Sequence, residues 1–423
     1  MTSESLPFSV VVPSGVEHFG DALAEASRGI GLLRQGYETN TLELLRFPER
    51  RDDLAKAQET AEALSKNTSV IAVLGIGSSS LGGQALAGLV PFGSTRAPKV
   101  LFFDNIDPFT FDTALKSFDL RTARFVAISK SGGSVEPLVQ TLAAANAIDQ
   151  AGGGKYIKYH FAVVTEPKPN PLRAFAESIG CGILDHPMQV GSRHSVLSVA
   201  GLLPALLMGL DAEALRKGAS ETLAPLLSGA DAKDVPAATG AALHRALARA
   251  GRLRETILWS NADRLRAFGP WWRQLWSESV CKSGSGTIPL AFGPGDQNGL
   301  SQRLPDRPGE SLCTMLTTDT AHAGPEIPAA RADAVGLSYL GGKTMGDVVA
   351  AEARATAETL AQCGRPVRRI HAPTLDERAL GALMMHFMLE TILIARLRGV
   401  DPFDQTSVET GRMLAHKFLA EGA

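Results

Sequence analysis

The chain has 423 residues, 44% of them hydrophobic and 20% charged, with a formal net charge of −2. That length accommodates two domains and a large core, and the charge balance gives no reason to expect nucleic acid or an anionic membrane as a partner. The four cysteines, Cys181, Cys281, Cys313 and Cys363, are scattered with no Cys-x-x-Cys pair, which argues against a zinc site or a disulfide framework and for a reducing compartment.

In chain order, the opening "MTSESLPFSVVVPSG" lacks the basic region and long apolar core of a signal peptide, so a cytoplasmic protein is expected. Up to about Lys66 the chain reads as mostly helical, ending in the charged stretch "RFPERRDDLAKAQETAEALSK". Short apolar runs then alternate with amphipathic segments. "VIAVLG", "KVLFFDN", "RFVAISKS", "YHFAVVTE" and "CGILDHP" read as strands, and helices are expected between them. This alternation predicts a parallel sheet covered on both faces. A long apolar helix is expected from Ser195 to Met208, and another helical region from Asp211. A second, less regular α/β half is expected near Glu255, with "ETILWS", "TIPLAFG" and "LCTMLTT" as strands and two closing helices. "VLSVAGLLPALLMGL" is too short to span a bilayer, and "ALMMHFMLETILIARL" is interrupted by His386 and Glu390, so no membrane association is expected.

Two glycine-rich segments, "VLGIGSSSLGG" and "ISKSGGSVE", sit where a strand turns into a helix. Open α/β sheets bind ligands at the carboxyl ends of their strands, and a helix N-terminus there favours an anion. Ser129, Ser131 and Ser134 can donate hydroxyl hydrogen bonds and Lys130 adds a cation, which together make a phosphate cradle. The competing reading is that Ser131 and Ser134 only cap a helix while the glycines shape a turn. A dinucleotide site fits less well, because Ser80 stands where the third glycine of G-x-G-x-x-G belongs.

"GIGSSSLG", "ISKSGGSVEP", "GSRHSVLSVAGLLPAL", "WWRQLWSESVCKSG", "GLSYLGGKT" and "GVDPFDQTSVETGR" occur in this order from about Val70 to the C-terminus. In these motifs the chain resembles the glucose-6-phosphate isomerase family in its compact bacterial form. The resemblance implies two sugar-isomerase (SIS) domains, each a parallel sheet flanked by helices, with N- and C-terminal helical extensions. The expected division is a helical segment over 1–66, SIS domains over 67–215 and 216–380, and a helical arm over 381–423. It also implies a homodimer with shared active sites, a sugar 6-phosphate as substrate, and no metal or organic cofactor.

The family's reaction moves a proton between C1 and C2 of an aldose or ketose 6-phosphate through an enediolate, after ring opening. By resemblance the phosphate falls to Ser129, Lys130, Ser131 and Ser134, with Gly77, Ser78 and Ser79 of the first loop close by. The base falls on Glu278, whose flanks (Trp271, Trp272, Leu275, Trp276) suit a partly buried carboxylate. Gln274, one helical turn earlier, shares its face and matches a substrate-contacting glutamine. Arg193 matches the arginine that stabilises the enediolate, and Gln405 the glutamine at the sugar.

The departures concern ring opening. Asn298 stands where the family has a histidine, and Arg412 where it has a lysine. Asparagine does not exchange a proton near neutral pH, and arginine is essentially never deprotonated. Ser78 and Ser192 replace family glycines, and His194 beside Arg193 reads as a packing residue rather than a substitute acid. The expected function is an isomerase of glucose 6-phosphate and fructose 6-phosphate with altered ring opening. The alternatives are an isomerase of another phosphosugar, or a non-catalytic SIS-type protein that binds a sugar phosphate and regulates.

Overall fold

A computed structural model describes residues 6–94, 98–251, 253–282, 286–296, 310–404 and 409–421. Its strands are β1 (Ser9–Val11), β2 (Val70–Leu74), β3 (Lys99–Phe103), β4 (Ala123–Ile128), β5 (Phe161–Thr165), β6 (Gly182–Asp185), β7 (Glu255–Ser260), β8 (Ile288–Phe292), β9 (Ser311–Thr317) and β10 (Val367–His371). They form two sheets, ordered β3-β2-β4-β5-β6 and β1-β10-β9-β7-β8.

The first sheet is wholly parallel. Every residue of β2 and β5 is buried, as apolar runs covered by helices on both faces require. In the second sheet β7 to β10 are parallel, while β1 joins the edge of β10 antiparallel. The N-terminal segment, read from sequence as helical, thus also contributes a strand. The order β8-β7-β9-β10 repeats β3-β2-β4-β5 of the first sheet, so the two halves share one topology.

The apolar helix expected from Ser195 is shorter, Val199–Leu207. Residues 195–198 form hydrogen-bonded turns instead, and Ser198 caps the helix by accepting from Ala200 N. Asp211 caps the next helix, Ala212–Ser228, by accepting from Ala214 N.

The helix Glu377–Leu397 is long and apolar enough to cross a membrane, but 89% of its apolar window is buried inside the fold. It packs against the helices Ala212–Ser228, Pro236–Arg249 and Phe268–Val280. Its polar residues His386 and Glu390 face inward, where Glu390 Oε2 pairs with Arg368 Nη1 at 2.8 Å and lies 3.0 Å from His386 Nε2. A buried carboxylate is tolerated because the guanidinium compensates it. This central helix carries the helix Phe268–Val280, and so positions the site.

Candidate active site

Both glycine-rich loops leave the carboxyl ends of adjacent strands, β2 and β4. In the first, Gly77 takes φ +55° before the helix Ser78–Ala87 begins. In the second, Gly132 takes φ +62°, and a Cβ there would fall 1.8 Å from Asn170 Oδ1. Only glycine fits that turn. The first loop runs close to the end of β4: a Cβ on Gly75 would lie 3.2 Å from Ile128 O, as well as 3.2 Å from Ser79 O within its own loop.

The hydroxyls of the second loop are mostly uncommitted. Ser129 is buried and its Oγ has no hydrogen-bond partner among the described residues. Ser131 Oγ accepts from Gly133 N at a long 3.3 Å. Ser134 stands at the N-cap of the helix Val135–Gln150, yet its side chain makes no capping bond. The purely structural reading, in which Ser134 caps the helix, is therefore not what the fold does.

Lys130 is held from behind. Its Nζ lies 3.4 Å from Oε1 of the buried Glu166, which also pairs with Lys168. Glu166 N donates to Lys130 O at 3.0 Å, and Thr165 Oγ1 donates to the same oxygen at 3.2 Å. Glu166 escaped the sequence reading, because a single acid ending the strand run "FAVVTE" gives no sign of its partner 36 residues earlier in the chain.

On the helix Phe268–Val280, Trp271, Trp272, Leu275 and Trp276 bury one face in the core. That turns Gln274 and Glu278 toward the loops, and Gln274 Nε2 donates to Glu278 Oε1 at 2.6 Å. Gly77 closes the contact, since a Cβ there would stand 2.8 Å from Gln274 Nε2. Arg193, in the short turn Ser192–His194, places Nε 3.3 Å from Glu278 Oε2. Its other nitrogens donate to Glu278 O, to Phe403 O at 3.3 Å and to Asp404 O at 2.8 Å. Burial draws the Arg193 pKa down while Glu278, Asp404 and Asp401 push it back up. The group remains a cation.

Lys282 also binds the 401–404 segment, pairing with the Asp404 carboxylate and donating to Asp404 O at 3.2 Å. Neither it nor Asp404 was singled out from sequence. His194 is fully buried, with neither ring nitrogen hydrogen-bonded among the described residues, and its ring lies 5.5 Å from that of Phe403. Burial, then Arg193 and Lys282, bring its pKa down to about 3. Neutral at ordinary pH and enclosed, it packs rather than donates. Ser78 opens the helix Ser78–Ala87 and Ser192 opens the Arg193 turn.

Gly77, Gln274, Glu278 and Arg193 therefore meet in one place, and Gly75 of the same loop lies beside Ile128, the last residue of β4 before the serine loop. Asn298 and Gln405 lie outside the described residues. Arg412 falls in the helix Glu409–Ala420, but its side chain is likewise outside the description.

The phosphoglucose isomerase profile matches residues 53–287, which include both loops, Arg193, Gln274 and Glu278. The chain belongs to the phosphoglucose isomerase family. This is a family of aldose–ketose isomerases. A glucose-6-phosphate isomerase of Thermus thermophilus is 33% identical over 422 residues, 96% of this chain and 97% of that protein. That of Rubrobacter xylanophilus is 31% identical over 380 residues, 88% of each chain. Among solved structures, a hypothetical protein from Thermus thermophilus superposes with a TM-score of 0.84 at 31% identity, covering 95% of both chains. A glucose-6-phosphate isomerase from Chlamydia trachomatis shares the fold, with a TM-score of 0.77 at 19% identity over 98% of this chain and 89% of that one. The phosphoglucose isomerase fold thus extends across both sheets.

Proposed function

We propose that this chain interconverts glucose 6-phosphate and fructose 6-phosphate through an enediolate, with Glu278 as the base. The observation that carries this reading is the carboxylate of Glu278. One of its oxygens is held by Gln274, the other lies against Arg193, and the side chain remains 29% exposed. It is oriented, yet within reach of a substrate.

In this reading Ser129, Lys130, Ser131 and Ser134 hold the phosphate, with Gly77, Ser78 and Ser79 lining the first loop. The far end of the open-chain sugar then lies over Glu278. The carboxylate takes the proton from C2 of the aldose, and the C–H electrons form the C1–C2 double bond as charge moves onto O1. The fixed guanidinium of Arg193 stabilises that charge without having to reorganise. Glu278 returns the proton to C1, and the hydroxyl proton of O2 passes to O1 as C2 becomes the carbonyl. Gln274 positions the base, and Gln405 contacts the sugar.

Asn298 and Arg412 stand at the ring-opening positions. Neither exchanges protons near neutral pH, so the enzyme takes the open-chain sugar, which forms spontaneously in solution, or opens the ring slowly. The family relationship also supports a cytoplasmic homodimer.

A coupled assay of fructose 6-phosphate conversion, with Glu278→Gln as control, tests the reading. Turnover that is lost in the variant is the expected result. A variant as fast as the parent overturns the mechanism.

A further inference from the structure

The repeated topology gives the second sheet a counterpart of the serine loop. β9 occupies the place of β4, so residues 318–322, which leave the carboxyl end of β9, stand where the serine loop stands in the first sheet. At that point the structure opens a cavity of about 210 Å³ lined by Asn261, Thr317, Thr320, Arg354, Arg369 and His371.

The cavity follows from register and residue size. Arg369 pairs with Met315 and His371 with Thr317 across parallel strands, so these side chains share one face of the sheet. The helix Met345–Gln362 lies over that face and turns only Ala350, Ala353 and Ala357 toward the cavity beside Arg354, which leaves the space unfilled.

Its polar groups are set at defined angles. The His371 ring is fixed at both nitrogens, with Thr317 Oγ1 3.0 Å from Nδ1 and Asp319 Oδ1 3.1 Å from Nε2. Asn261 buries its side-chain oxygen with no hydrogen-bond partner among the described residues. Buried acceptors are normally satisfied, so this one points to a donor supplied from the cavity. Arg369 is exposed at the rim, as is Arg354, whose Nε is only loosely paired with Glu358 at 3.3 Å. Arginine forks at the rim suit a carboxylate or phosphate, and the interior Asn261 acceptor suits an alcohol group, while Thr317 and Thr320 spend their hydroxyls on His371 Nδ1 and Gly346 O.

We infer that the second sheet carries its own ligand site, for a small hydroxylated anion such as a phosphorylated or carboxylated polyol. The site is separate from Glu278. The helix Phe268–Val280 starts after the carboxyl end of β7 and runs back toward the amino end of β8, carrying Glu278 on the order of 15 Å away from its start. A bound anion would bridge the helix Met345–Gln362 to β10, two elements of the second sheet layer, and would tighten that layer.

The test is calorimetric titration of the full chain with 3-phosphoglycerate, comparing the parent protein, Arg354→Ala/Arg369→Ala and Lys130→Ala. Both arginines are at the rim, so the double variant should fold, and its isomerase turnover without the probe should match the parent. The expected result is saturable binding that weakens by about tenfold or more in the double arginine variant and persists in Lys130→Ala. Binding lost only in Lys130→Ala places the probe in the first sheet and overturns the inference. Absence of binding by the parent protein at millimolar probe overturns it as well. Isomerase turnover is read separately, so neither outcome bears on the assignment of Glu278.

Discussion

Arg193 and Glu278, 85 positions apart in the chain, place Nε 3.3 Å from Oε2. The pair is asymmetric: the arginine side chain is 1% exposed and the carboxylate 29%. The guanidinium is tied to the carbonyls of Glu278, Phe403 and Asp404, so it cannot follow a moving charge. A cation fixed in a largely dry setting, beside a carboxylate that a substrate can reach, is what charge development on a sugar oxygen requires.

Arg193→Lys should therefore lower kcat by about 10²–10³-fold, because an ammonium cannot reproduce the anchored fork. Steady-state kinetics, with a thermal melt to show that the fold persists, give the answer. A kcat equal to the parent's would remove Arg193 from the mechanism.

Gly77→Ala meets two obstacles, a φ of +55° and a contact 2.8 Å from Gln274 Nε2. The expected outcome is displacement of Gln274 and a fall of roughly tenfold in kcat/KM, from a strain of about 1–2 kcal/mol. Gln274→Ala should lose a similar amount, and the double variant little more than either one, because both act through the same contact. Fully additive losses would contradict the shared contact.

Acid stability should report the buried histidines. Burial lowers the pKa of His194 and of His244 from 6.5 to about 3, and that of His186 to about 4. Below pH 6.5 the unfolded chain binds protons that the folded chain refuses, so stability falls as pH falls. The full contribution is present above pH 6.5 and is lost progressively down to the folded pKa. His194→Phe, which keeps a ring against Phe403, should flatten the slope by about 1.4 kcal/mol per pH unit within that window. Urea midpoints measured from neutral to mildly acidic pH would show it, and an unchanged slope would mean His194 is protonated in the fold.

On the proposed assignment of Asn298 and Arg412 to ring opening, Asn298→His with Arg412→Lys supplies a proton-exchanging residue type at both positions. Turnover on the cyclic sugar should rise, within the ~10²–10⁴-fold range of acid–base catalysis. Stopped-flow comparison with freshly dissolved, ring-closed glucose 6-phosphate is the check. No gain would mean that ring opening does not limit the rate.

The local elements were readable because their signals are local. "VIAVL" and "FAVVT" are apolar throughout, as strands covered on both faces must be, and Asp211 and Asp376 announce the helices they cap. β10 was missed for the converse reason. "VRRIH" carries two arginines and a histidine, and Arg368 is buried because Glu390 reaches it from the helix Glu377–Leu397 and Thr314 accepts from its Nε. β1 has three residues and exists by pairing with β10.

By itself the sequence determined the alternation of strands and helices, the two glycine-rich loops at strand ends, and which residues, from Gly77 to Glu278, are available to the proposed proton transfer. Periodicity and turn composition act over a few residues and are written directly in the chain. The tertiary structure decided which of those residues meet. Glu166 lies behind Lys130, Gln274 meets Gly77, and Arg193 is clamped between Glu278 and the 401–404 segment. Each of these contacts joins distant parts of the chain, and its geometry is set by how helices pack on two sheets, which no local pattern encodes.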